Sequence, residues 1–81
     1  MKRGDKIIWD SGSGYDIAIY VKAFDEYYFG YHQPVRITLK SGIMRNRDSM
    51  VEAKQLSPYT EKLQQQMSKR YGYEKKFPST S

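Results

Sequence analysis

The sequence predicts a mainly β domain of about five short strands, followed by one C-terminal α-helix and a polar tail. Three observations carry this. Apolar and polar residues alternate over positions 16 to 24 and again over 35 to 40, the period of a half-buried strand. Clusters of turn formers separate the short β-prone runs before residue 56. Beyond Ser57 the period changes, because Tyr59, Leu63, Met67 and Tyr71 recur every four residues, the spacing of one helical face.

Lys6-Ile7-Ile8-Trp9 is β-prone and lies between Gly4-Asp5 and Asp10-Ser11-Gly12-Ser13-Gly14, which predicts a first strand and a flexible loop. In the second strand Ile17, Ile19, Val21 and Ala23 share one face, and Ala18, Tyr20, Lys22 and Phe24 share the other. A polar, aromatic connector follows from Asp25, and Pro34 suits the first position of a strand, where its missing N–H costs no ladder bond. Val35, Ile37 and Leu39 then face the core, with Arg36, Thr38 and Lys40 toward solvent. Ser41-Gly42 predicts a two-residue hairpin turn and a fourth strand from Ile43. That turn sets Leu39 opposite Met44, Thr38 opposite Arg45 and Arg36 opposite Arg47. Arg47-Asp48-Ser49 reads as a bulge or break, after which Met50 to Ala53 resume the strand and Leu56 closes the core.

Ser57 before Pro58 predicts a helix start, since the hydroxyl can cap free N–H groups and proline at the first position sacrifices none that is needed. Gly72 can end the helix in a left-handed conformation. The expected division is a β domain over residues 1–56, a helix over 57–72, and a disordered basic tail over 73–81.

Composition narrows the function classes. There is no Cys among the 81 residues, so neither a disulfide framework nor a thiolate zinc site is available. The longest apolar run, Ile17 to Val21, is far too short to span a bilayer as a helix, and Met1-Lys2-Arg3 is not followed by the apolar stretch of a signal peptide. A soluble, cytoplasmic protein without a membrane partner is expected. Lysines and arginines number 14 against 9 acids, net +5. Residues 1–53 hold eight basic and seven acidic side chains, whereas residues 54–81 hold six and two, which puts most of the surplus at the C-terminal end.

Gly4-Asp5-Lys6-Ile7-Ile8-Trp9, the Gly-rich loop, the long second strand, Val35-Arg36-Ile37-Thr38-Leu39-Lys40-Ser41-Gly42 and the exit Leu56-Ser57-Pro58-Tyr59 together resemble the SH3-like small β-barrels of the Tudor and KOW types. The resemblance spans roughly residues 4 to 59 and implies a five-stranded barrel. Tudor-like relatives build cages for methylated side chains from aromatic rings. The corresponding aromatic candidates are Trp9, Tyr15, Tyr27, Tyr28 and Tyr31, with Phe29 beside them; such rings also serve as stacking platforms for bases, or simply cover a small barrel.

Arg36, Lys40, Arg45 and Arg47 on one face suit phosphate contacts, with Lys75 and Lys76 reaching from the tail; solvated surface charge is the plainer reading. The stripe Tyr59, Leu63, Met67 and Tyr71 fits a helix docked on its own barrel, or a surface for a partner, and leaves a monomer and a homodimer both open. Catalysis finds no constellation, because His32 is the single histidine and no cysteine exists to pair with it. Asp10 and Asp16 fail the EF-hand spacing, so no metal is expected; Gly12 and Gly14 fail the phosphate-loop pattern, so no cofactor is expected either. The expected function is non-enzymatic binding to nucleic acid or a nucleoprotein complex. The alternative is a protein-interaction module or inhibitor, of a size that fits a phage or mobile-element accessory factor.

Overall fold

The computed structural model describes residues 1–24, 30–43 and 45–77. Its strands are β1 (Lys6–Asp10), β2 (Tyr15–Ala23), β3 (Pro34–Leu39), β4 (Asp48–Glu52) and β5 (Leu56–Pro58), with a 3-10 turn at Ala53–Gln55 and one helix, α1 (Glu61–Tyr71). They form one antiparallel sheet in the order β4-β3-β2-β1-β5. The edge strands β4 and β5 do not pair with each other, so the sheet is open and not a closed barrel.

Two apolar layers lie on opposite sides of this sheet. On the inner side Ile7, Ala18, Val35, Ile37, Leu39, Val51 and Leu56 are buried together, with Trp9, Tyr20 and Ala53 packed against them. On the outer side Ile8, Tyr15, Ile17 and Met67 form a second cluster, joined by Tyr59, Leu63, Tyr71 and Phe77. Successive residues of a strand point to opposite faces, so Ile7 with Ile8, and Ile17 with Ala18, are each buried on different sides. The exposed apolar patch that Ile8 and Ile17 would leave is what α1 covers. The first half of β2 is therefore buried on both faces, not half-buried.

Alternation along β2 does not run through to its end. The pairing with β3 jumps from Tyr20↔Ile37 to Lys22↔Arg36, leaving Val21 as an extra residue in a bulge. The bulge reverses the faces beyond it: Lys22 shares the outer side with Ile19 and Thr38, and Ala23 returns inward opposite Val35. The expected grouping of Lys22 with Ala18 and Tyr20 is corrected accordingly.

The β3–β4 connection is longer than the predicted two-residue turn. Thr38 pairs with Asp48, Ile37 with Ser49, Arg36 with Met50 and Val35 with Val51. The predicted pairing would have placed Ile43 in the strand, whereas Ile43 is 100 % exposed. Burial decides between the two registers. The observed one sets Val51 beside Val35 in the inner layer at 1 % and 2 % exposure, and lets the Thr38 hydroxyl donate to Asp48 at 2.7 Å. The loop closes through Asn46, whose φ of 67° is left-handed; its N–H donates to the Leu39 carbonyl at 2.7 Å while the Leu39 N–H donates to the Arg47 carbonyl at 2.9 Å. The Met44 position lies outside the described residues.

The helix starts later than Ser57-Pro58 predicts. Ser57 and Pro58 instead pair with Ile8 and Ile7 as the edge strand β5, where a residue without an N–H is tolerated. Thr60 takes the capping role, its hydroxyl accepting from the Leu63 N–H at 3.1 Å. Gly72 ends α1 with φ 80°, a conformation that glycine adopts without penalty.

Residues 73–77 do not behave as the expected free tail. Tyr15, 1 % exposed, anchors them: its hydroxyl donates to the Tyr73 carbonyl at 3.1 Å and accepts from the Lys75 N–H at 2.8 Å. The Tyr73 hydroxyl in turn accepts from the Tyr15 N–H at 2.7 Å and donates to its carbonyl at 2.9 Å. A side chain at Gly14 would come within 2.7 Å of that hydroxyl, so the docked position of Tyr73 requires glycine there. Phe77 stacks edge-on to Tyr59, with ring centres 4.9 Å apart. The strap was hidden in the sequence because a short segment without an apolar period gives no helical or strand signal. Residues 78–81 lie outside the described part.

Candidate nucleic-acid interface

The part of the outer face that α1 and the strap leave uncovered lies over the end of β2 and over β3. The bulge at Val21 brings Lys22 directly opposite Arg36, both exposed. The Phe24 ring sits beneath the two cations, with the Lys22 Nζ 5.1 Å and the Arg36 guanidinium carbon 5.5 Å from its centre. Like charges facing each other across a sheet are destabilising, and the ring face offsets only part of that cost. No salt bridge among the described residues involves Lys22 or Arg36. The acids nearest along β4 are engaged: Asp48 accepts from Thr38, and Glu52 accepts from the His32 and Gln33 backbone N–H groups at 2.7 and 3.4 Å.

Lys40 continues the Arg36 face just past the end of β3, about 13 Å from Arg36 at the usual rise per residue. Its ammonium donates to the Asn46 side chain at 3.1 Å. Arg45 and Arg47 lie exposed in the β3–β4 loop and not on a strand opposite Arg36. The single strand face expected for the four predicted basic residues is not formed: Arg36 lies near the start of β3, whereas Lys40, Arg45 and Arg47 lie beyond its far end. Lys22 is the cation that sequence reasoning missed, because nothing in the residues around Val21 marks the bulge that turns it outward.

The tail lysines are occupied. Lys75 forms an ion pair with Asp16, and Lys76 pairs with Glu74 at 2.8 Å, which raises the Lys76 pKa above its ordinary value through that hydrogen bond. Neither pairing brings a tail lysine to the Lys22–Arg36 pair.

The predicted aromatic set is divided among different places. Tyr15 is the anchor of the strap and is not accessible. Trp9 packs against the inner layer while its indole N–H donates to Gln55 at 3.0 Å. Trp9 and Tyr31 line one shallow groove with Met50, Glu52 and Lys54. Tyr27, Tyr28 and Phe29 lie outside the described residues. A second cleft, of about 560 Å³, is lined by Tyr20, Phe24, Pro34, Val35, Ala53 and Leu56 among others.

The helix stripe is spent on packing: Leu63, Met67 and Tyr71 lie against the outer cluster, and Tyr59 joins them from just before α1. At the far end of the helix the Tyr71 hydroxyl donates to Asp10 at 2.5 Å and Arg70 donates to the same carboxylate at 3.2 Å. The Tyr71 hydrogen bond, with help from the Gly12 N–H and Arg70, holds the Asp10 carboxyl below its ordinary range against partial burial. The same bond pushes the Tyr71 hydroxyl upward. Among the described residues no three His, Asp or Glu side chains cluster as a metal site would require, and no helix is long and apolar enough to cross a membrane.

Neither a protein-family model, nor a curated protein, nor a solved structure matches this chain.

Proposed function

We propose that the protein is a small non-catalytic binding module, an open-sheeted relative of the SH3-like small barrels of the Tudor and KOW types, that holds nucleic acid by its phosphate backbone. The observation that carries this reading is the opposed pair Lys22 and Arg36 over Phe24, exposed on the outer face with no carboxylate of the described residues paired to either. An anion bridging them would relieve their repulsion, and a phosphate oxygen fits the guanidinium well. Arg45, Arg47 and Lys40 extend the positive field toward the β3–β4 loop.

Fluorescence anisotropy with mixed-sequence DNA and RNA, titrated in salt, tests the reading. Affinity should fall linearly with the logarithm of salt concentration, and Lys22→Ala or Arg36→Ala should each lower that slope by about 1. Undetectable binding at low salt would end the proposal.

A second reading is favoured by the cleft beside the same Phe24. Its lining by Tyr20, Pro34, Val35, Ala53 and Leu56 suits an apolar side chain of a protein partner, as a recruiting module or inhibitor would need. A partner captured from lysate should survive nuclease treatment in that case, and should vanish if nucleic acid bridges it.

A further inference from the structure

The least expected apolar residue in the molecule is Ile43. It is 100 % exposed at the tip of the β3–β4 loop, while the other isoleucines of the strands are buried or half-buried. A single exposed aliphatic residue is ordinary. Its setting is not: Lys40 precedes it, Arg45 and Arg47 follow it, and no acid lies between Lys40 and Arg47. The loop is also braced. Asn46 and Arg47 bracket Leu39 by backbone hydrogen bonds, Arg45 N–H donates to the Gly42 carbonyl at 3.2 Å, and Lys40 reaches across to the Asn46 side chain. An apolar side chain is thus fully exposed in a loop whose flanking residues are hydrogen-bonded and whose charges are all positive.

We infer that Ile43 is a wedge that enters the minor groove of duplex nucleic acid and unstacks one base step, with Arg45 and Arg47 beside it in the groove and on the phosphates. This rests on the phosphate-binding reading above and adds the kind of nucleic acid and the mode of engagement. Aliphatic side chains inserted between base steps, next to arginines in the narrow groove, are a general means of kinking a duplex. The exposed Lys22–Arg36 pair, toward the other end of β3, then adds contacts to the phosphate backbone farther along the duplex.

An anionic membrane would also attract cations around an apolar tip, but the amounts argue against it. Even a whole myristoyl chain gives only marginal membrane binding, and Ile43 offers a small fraction of that apolar surface. A wedge needs no more than one side chain.

The experiment uses the full chain and a duplex carrying 2-aminopurine at TA steps, which unstack readily. Anisotropy reads binding and 2-aminopurine emission reads unstacking; vesicles of phosphatidylserine and phosphatidylcholine form a separate arm. Wild type should raise the emission on binding. Ile43→Ala should abolish that rise and weaken duplex binding about tenfold, the scale of losing most of one buried aliphatic side chain, with the salt slope unchanged. Arg36→Ala should lower the slope and keep the emission per bound complex. Because Ile43 touches nothing that its truncation would expose, an unchanged melting temperature is expected for Ile43→Ala. Duplex binding without unstacking, or equal unstacking by Ile43→Ala, overturns the wedge alone. Absence of duplex binding at low salt overturns the phosphate reading with it, and Ile43-dependent binding to vesicles without unstacking assigns the tip to a membrane instead.

Discussion

Tyr15→Phe isolates the hydroxyl that ties the strap to the sheet. The ring stacks on Tyr73 with centres 5.1 Å apart and lies 6.1 Å from Tyr71, and phenylalanine keeps both contacts. What disappears is one donor to the Tyr73 carbonyl and one acceptor for the Lys75 N–H and, at 3.3 Å, for the Gln64 amide. Gln64 keeps its bond to the Lys75 carbonyl at 3.1 Å, so two backbone groups of the strap lose their partner. A net hydrogen bond contributes about 1 kcal/mol, and orphaning a buried partner raises the cost; water reaching a lifted strap lowers it, giving about 2 kcal/mol. For a domain of this size that is a fall of about 10 °C in Tm. Thermal circular dichroism measures the fall, and amide exchange at Lys75 locates it, since protection there should drop far more than in β2. A Tm within about 2 °C of wild type, with Lys75 protection intact, would refute the assignment of Tyr15 as the anchor.

Asp10 should make stability sensitive to acid. Its folded pKa lies below the ordinary 3.8 through the Tyr71 bond first, so its contribution is complete above about pH 4 and is lost as pH falls through the lower folded value. Urea melts should find Asp10→Asn about 1 kcal/mol less stable than wild type at pH 6, discounted for exposure, with the two converging near pH 2. Thr60→Ala removes the hydroxyl that caps α1 and should cost about 1 kcal/mol, with Thr60→Ser close to neutral in the same melts. Asn46→Ala forces a residue with a full left-handed penalty into φ 67° and should cost about 1 to 2 kcal/mol, whereas Asn46→Gly should cost less than half of that.

The strands of the inner layer were legible because period-two burial is a direct consequence of strand geometry: Val35, Ile37 and Leu39 are all buried, on the face where alternation puts them. The β3–β4 register was not. Ser41-Gly42 is a strong local turn signal, and what overrides it is distributed: Val51 against Val35, Thr38 to Asp48, and an asparagine able to take a left-handed conformation. A shift by three residues also moves every side chain of the fourth strand to the other face, so the predicted opposition of Arg36 with Arg47 could not survive it. The strap was illegible for another reason. Tyr73 and Phe77 are aromatic residues in a segment with no period; Tyr73 docks at Gly14 and Tyr15, far away in the chain, and Phe77 docks against Tyr59. The helix stop at Gly72, by contrast, follows from one residue's backbone freedom and needed no tertiary knowledge.

The outer face of the sheet is divided by one residue. Before Val21, Tyr15 and Ile17 on that face, with Ile8 of β1 beside them, make an apolar area that must be removed from water, which α1 and the strap accomplish, while Ile19 farther along stays half-buried. Without a bulge the next outward residue would be Val21, which extends the apolar strip, and Lys22 would point toward the inner layer beside Tyr20, where an unpaired ammonium is costly to bury. The extra residue instead delivers Lys22 outward at the point where the helix no longer covers the sheet, and sets it against Arg36. The same local irregularity therefore spares the core a charge and creates the concentration of positive charge on which the phosphate-binding reading depends, so the covering helix and the exposed cations are two consequences of one alternation and its interruption.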